Sequence, residues 1–463
     1  MTLGQTFESL LKPCVDALSA VFFCDVAGFP FIVIWLMAAA LFFTLYLNFV
    51  NFRLLPHAFK LAMGKDKSDA KTKGEISPLK ALLSAISATV GLGSIAGVSV
   101  AVAIGGPGAI FWIIVMGLFG MASKFAEVTL SLMYRETDKQ GKVYGGPIQY
   151  LRKGFAEMGY EKAGLYLSYL FAAICLGAAI GGGNMFQSNQ TVKLLVHEFP
   201  SMAATPWIPA AAFAALVGLV LFGSIKRIAK VAEAVTPLKG ITYLLCAIII
   251  CAVNWQHVPD AFVSIFTQAF SAEAAKGGMM GMLVVAFKRA LFANEAGLGS
   301  APIAHAAAKV KEPAREGTLA LIEPLFAAFI ALLTGLMVVS TGVWQGAKLE
   351  DGVLIAANAF ATVSPWFTAM LAVNVLLFAY GTTIGWSYYG EIAWSYLTGR
   401  RGVKTYYILY TLACFIGGVT TFGVVLDFAD LLILGMSLPN ILALYLLRGK
   451  IKAEMQKYMA KLG

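Results

Sequence analysis

The chain has 463 residues, 59% of them hydrophobic and only 13% charged, against roughly 45–50% and 25% in average soluble domains. That balance excludes a soluble globular domain and requires an integral membrane protein. The apolar runs are long rather than alternating with period two, so helices and not a β-barrel cross the bilayer, and the net charge of +10 has to be placed between them.

A membrane-length window predicts eleven helices, over 30–52, 80–104, 109–134, 163–195, 207–223, 231–253, 261–287, 317–343, 366–397, 405–424 and 428–447. The first strongly apolar run begins near Phe31 and continues at spanning length, so no cleavable signal peptide is expected. The second helix carries Gly91, Gly93 and Gly97 with Ser87, Thr89 and Ser94, which loosen it at mid-membrane depth. Backbone groups released from a helical ladder cannot stay bare in hydrocarbon, so a break survives only where protein, water or a solute satisfies them. In secondary carriers such breaks form the site, half-helix N-termini facing anions and freed carbonyls holding a cation. Close helix packing is the alternative use of the same glycines, and the stretch alone supports both equally. Glu273, Lys276, Gly277 and Gly278 interrupt the seventh helix, which reads as a second broken one, at about 271–281.

Basic residues recur in every second loop: Arg53, Lys60, Lys65, Lys67, Lys71 and Lys73; Arg135 to Lys162; Lys226, Arg227 and Lys230; Lys288 to Arg315; Arg400, Arg401 and Lys404; and the tail from Arg448. This is the positive-inside signature, not a nucleic-acid patch, and it puts the C-terminus in the cytoplasm and the N-terminus outside. Setting the first helix aside leaves two sets of five, each opened by a broken helix and of opposite orientation, the best sequence pointer to a carrier's binding site. Residues 1–463 then form one transmembrane domain: an extra N-terminal helix and cytoplasmic loop (1–79), two five-helix repeats (80–256 and 257–450) and a cytoplasmic tail (451–463).

Thr382 and Thr383 offer adjacent hydroxyl oxygens to a hard cation, or bond back one turn along their own helix. Asn184 and Gln187 share a helix face, and Gln187 is placed either to bind a zwitterion or to join helices. Lys124 and Glu127, one turn apart, are expected to pair, whereas Glu323, followed by Pro324, has no partner visible in sequence. Glu295 and Glu391 are expected at cytoplasmic ends, and His57, His197, His257 and His305 at helix ends or loops. The six cysteines read as small buried hydrophobes, without metal-ligand spacing. No P-loop, nucleophile elbow or zinc motif is present, so the chain is not read as an enzyme.

Several stretches resemble the alanine or glycine:cation symporter family, the sodium:alanine symporters. They are Ala88–Gly91 with Ile95–Val98, Gly105–Trp112, Phe119–Glu127, Gly145–Pro147, Gly183–Met185, Asn294–Ala306 and Thr382–Glu391, in order over nearly the whole chain. The resemblance implies an all-α, leucine-transporter-like core of five plus five inverted helices behind one extra helix. It implies a multi-pass protein of the cytoplasmic membrane that imports a small neutral amino acid with sodium by alternating access, with no cofactor beyond that ion. Val90-Gly91-Leu92-Gly93 also resembles the unwound first core helix of the wider neurotransmitter:sodium symporter group, and by that likeness carbonyls of Ser87, Val90 and Ala379 and hydroxyls of Thr382 and Thr383 bind sodium. Backbone amides of the loosened Gly91-Leu92-Gly93-Ser94 segment, near Gly93 and Ser94, meet the substrate carboxylate, and Gln187 and Trp386 line the pocket. Leu92, Ser94 and Glu323-Pro324 depart from the family's usual residues. A proton-coupled or sodium-independent carrier with Glu323 as its titrating group, and a non-transporting receptor, are the alternative readings.

Overall fold

In hydrocarbon a chain must close its own backbone hydrogen bonds, and this sequence does so almost entirely with helices. The structure, a computed structural model, describes residues 28–64, 74–139, 141–222, 225–271 and 278–462, with isolated residues between 12 and 26. In chain order the principal helices begin with α1 (Phe31–Tyr46), α2 (Pro78–Thr89), α3 (Ala96–Gly105), α4 (Gly108–Tyr134) and α5 (Pro147–Glu157). Next come α6 (Glu161–Ile180), α7 (Phe186–Glu198), α8 (Trp207–Leu221), α9 (Ile225–Val253) and α10 (Val258–Gln268). The second half holds α11 (Gly278–Asn294), α12 (Ala301–His305), α13 (Pro313–Ala320), α14 (Ile322–Ser340) and α15 (Thr368–Leu397). It ends with α16 (Val403–Val419), α17 (Phe422–Gly435), α18 (Ser437–Leu446) and α19 (Arg448–Met459). Among the described residues six helical runs are long and apolar enough to cross a membrane, or seven if the bent pair α2 and α3 is one span. The surface is apolar where lipid would lie, with Leu219 72% exposed, while Lys124, Glu127, His305 and Glu323 are 0% exposed.

The first break stands where the glycines predict it: α2 stops at Thr89, α3 starts at Ala96, and the axis bends by 57°. The second is expected at 271–281, of which residues 272–277 lie outside the described residues. The single helix expected over 261–287 is two, α10 and α11, and a further break, the second among the described residues and not expected from the sequence, follows them. α11 runs on to Asn294, unwinds over residues 295–300 and resumes as α12. Left-handed backbone at Glu295 (φ 52°), Gly297 (φ 81°) and Gly299 (φ 85°) cannot continue a right-handed helix. Lys288 and Arg289, expected in a loop, lie within α11, where Arg289 is buried and ion-paired with Asp430 of α17.

The halves of the two interrupted helices pack crosswise: α2 against α12, and α3 against α11. They therefore run antiparallel with their breaks side by side. α4 lies between α1 on one side and α11, α13 and α14 on the other, while α2, α9 and α15 pack together. Between α6 and α7, Gly181–Met185 forms one π-helical turn inside an otherwise continuous run from Glu161 to Glu198. α1 docks on α4 through Thr44 Oγ1, which donates to Phe119 O (3.3 Å), and on α18 through the rings of Trp35, Phe42 and Phe43 around Tyr445; beyond α1, Asn51 Nδ2 donates to Leu118 O (2.9 Å).

Candidate functional site

Ser77 caps α2 by accepting from Lys80 N–H (3.3 Å), and Pro78 takes the first helical position, where no N–H is needed. After Thr89 the backbone is held from outside. Leu92 N–H donates to Gln187 Oε1 (3.0 Å), Gln187 Nε2 donates to Gly182 O (3.0 Å), and Thr334 Oγ1 donates to Ser94 O (3.0 Å). Gly91 and Gly93 allow the neighbours this close. A Cβ on Gly91 would lie 2.5 Å from Thr382 Oγ1, and one on Gly93 would lie 2.6 Å from Phe292 Cδ1. The hydroxyls of Ser87, Thr89 and Ser94 are buried without a hydrogen-bond partner.

The second break is satisfied by other elements. Lys124 Nζ donates to Glu295 O (3.1 Å), Gly299 N–H to Glu127 Oε2 (3.1 Å), and Asn440 Nδ2 to both Gly297 O (2.8 Å) and Glu127 Oε2 (3.0 Å). Glu295, expected at a cytoplasmic end, is buried in the break, its carboxylate accepting from Ser300 Oγ (2.5 Å) and Trp386 Nε1 (3.0 Å). Lys124 lies 3.5 Å from Glu127, the expected pair, but also 3.4 Å from Glu323. Glu323 thus has partners, the second being His305 Nε2 at 2.6 Å. His305 stands at a helix end, as the last residue of α12. It is fully buried, with Nδ1 2.7 Å from Glu316 Oε1, and ties α12 to α13 and α14. Cys24 likewise departs from expectation in being exposed, while Cys175, Cys246 and Cys414 are buried.

Of the five oxygens expected for a cation, Ser87 O, Val90 O and Thr382 Oγ1 meet at the junction of α2, α9 and α15. Thr382 Oγ1 donates to Ser87 O (3.0 Å), Ala379 is buried one turn before Thr382 and Thr383, and Thr383 Oγ1 is buried without a partner. Such neutral oxygens suit a hard monovalent ion in kind. Two of them are already engaged, because Lys239 of α9 donates from Nζ to Val90 O (2.7 Å) and Ser87 O (3.1 Å). Lys239 is 0% exposed, and among the described residues no carboxylate pairs with it. Lys239 is not among the site residues expected from the sequence. The available signal was a lone lysine in mid-span with Val235, Thr236, Thr242 and Tyr243 at the positions where a helical acid partner would stand.

Five of the six expected pocket residues meet at the first break. Gly91, Leu92, Gly93 and Ser94 are buried at the first break, and Gln187 is bonded to it. α15 touches α2 at Gly385 and Ala88, one residue before Trp386, whose side chain lies on Gly183 of the π turn. Trp386 thereby links that turn to the second break through Glu295.

Two antiparallel membrane helices interrupted side by side, with freed groups at both breaks held by side chains of neighbouring helices, define a membrane transporter rather than an enzyme. The chain belongs to the sodium:alanine symporter family, whose profile matches residues 11–463. It is 36% identical to the sodium/alanine symporter AgcS of Methanococcus maripaludis over 93% of this chain and 94% of that protein. It is 29% identical to the probable sodium/glutamine symporter GlnT of Bacillus subtilis over 94% and 89%. Among solved structures it is similar in fold to MhsT in complex with L-phenylalanine, with a TM-score of 0.59 at 15% identity over 83% of this chain and 93% of that one.

Proposed function

We propose that this protein is a symporter that imports a small neutral amino acid across the cytoplasmic membrane by alternating access, with its N-terminus outside and its C-terminus inside. The observation that carries this reading is the first break, where the Gly91–Ser94 backbone lies between Gln187 and Phe292 beside a second interrupted helix. The family is one of cation-coupled carriers, and sodium is the ion in the relatives' names. A small side chain fits best, because Leu92 is fully buried and the Phe292 ring sits directly on Gly93. The solute's carboxylate, in this reading, meets amides of the Gly91–Ser94 segment, with Gln187 and Trp386 around it. Movement of the two five-helix sets about the breaks then exposes the pocket to either side.

The test is binding and proteoliposome uptake of a panel of amino acids by the purified full-length protein. Saturable uptake of alanine, glycine or serine, with bulky amino acids excluded, is the expected result. No binding of any amino acid would favour a non-transporting receptor.

A further inference from the structure

We infer that the ammonium of Lys239 is itself the cation held between α2, α9 and α15, so that this chain binds no sodium ion at Ser87, Val90, Thr382 and Thr383. The inference rests on reading this junction as the cation site of the proposed carrier. The end of α2 leaves carbonyls without intrahelical partners and carries the negative end of the helix dipole, so it calls for a positive charge. Lys239 supplies one. Its Nζ donates at 2.7 Å to Val90 O and 3.1 Å to Ser87 O, both within hydrogen-bond range.

The neighbourhood is shaped for the ammonium. The Phe378 ring centroid stands 5.0 Å from Nζ, a cation–π distance, and Gly381 leaves the space on α15. A Cβ on Gly381 would lie 3.3 Å from Nζ and 2.6 Å from Ser87 Oγ. With no carboxylate on Lys239 among the described residues, nothing neutralises the ammonium in place, and a sodium ion on the same two carbonyls would face it directly. Two unit charges about 4 Å apart at an effective dielectric near 20 repel strongly enough to weaken sodium binding about a thousandfold. The tethered ammonium instead holds the end of α2 in the place that the family resemblance assigns to the ion, so organisation of the loosened segment does not wait for sodium.

The experiment uses purified full-length protein and measures saturable 22Na binding beside alanine binding in sodium and in N-methylglucamine buffer. Wild-type protein is expected to show no sodium binding that Thr382→Val with Thr383→Val removes, and equal alanine affinity in both buffers. Lys239→Met is expected to gain a saturable sodium site that the two threonine substitutions abolish, whereas Lys239→Arg, which keeps the charge, gains none. Sodium binding by the wild type that disappears on Thr382→Val with Thr383→Val overturns the inference, whether or not Lys239→Met folds. A chain that behaves as expected towards sodium but binds no amino acid in either buffer supports the role of Lys239 and overturns the carrier reading instead.

Discussion

Gln187 is the side chain on which the first break most depends, because it alone accepts from Leu92 N–H and its other end is fixed to Gly182 O. Gln187→Leu keeps the volume and removes both bonds. A buried N–H left unpaired costs about 1–3 kcal/mol and a lost neutral hydrogen bond about 0.5–1.5 kcal/mol, so the loosened geometry is disfavoured by roughly 2–4 kcal/mol. If binding requires that geometry, affinity falls roughly 30- to 1,000-fold, at about 1.4 kcal/mol per factor of ten. Gln187→Glu retains an acceptor for Leu92 and loses the donor to Gly182, so its loss is expected to be intermediate. Scintillation proximity binding of tritiated alanine to purified protein measures the effect, with thermal unfolding of each variant as the control for fold. A Gln187→Leu protein that binds alanine within about threefold of wild type, at unchanged melting temperature, would refute the dependence of the site on this contact.

Gly93→Ala is expected to abolish uptake, since its Cβ would press on the Phe292 ring at 2.6 Å; Gly93→Ala with Phe292→Leu should recover part of it in the same assay. Lys124→Met strands Glu127 and Glu323 fully buried without their shared cation and is expected to cost about 3–5 kcal/mol, read as a lowered melting temperature in detergent. Glu323→Gln should likewise reduce stability while leaving the pH profile of uptake in place, because Lys124 and His305 engage the carboxylate structurally; a displaced profile would restore Glu323 as a titrating group. At the helix α5 end, hydrogen bonds from Lys450 and then Tyr134 hold the Glu157 carboxyl below its ordinary value of 4.5. A lowered folded value means that the contact between α19 and α5 is fully present above that range and is lost as pH falls through it. Rate-corrected hydrogen exchange of α19 should therefore rise on acidification, and Glu157→Gln should flatten the response.

Hydropathy alone located α4, α8 and α15 to within a few residues, because each is one apolar run bounded by loops. The first break was legible as well, since three glycines and three hydroxyl residues within eleven positions loosen a membrane helix. The second was hidden by charge. Lys288 and Arg289 ended the apolar window early, and only the fold supplies Asp430, 141 positions away, to make an arginine tolerable inside a helix. The partners of Glu323 escaped for the same reason, as Lys124 reaches it across the bundle from α4 and His305 from the end of α12. Lys239 was visible as a solitary charge, but its meaning depends on carbonyls about 150 residues earlier, which no local pattern reveals.

The π-helical turn at Gly181–Met185 acts as a phase shifter. An α-helix advances about 100° per residue, so the wider turn sets the azimuth of everything downstream in α7. Asn184, Gln187, Asn189 and Gln190 all find buried partners on that setting: on α16, at the first break, at the chain before α17 and, for Gln190, at Val353 N–H. Deleting any one of the three consecutive glycines would rotate this whole amide row out of register at once, an injury no single side-chain replacement along α7 can reproduce.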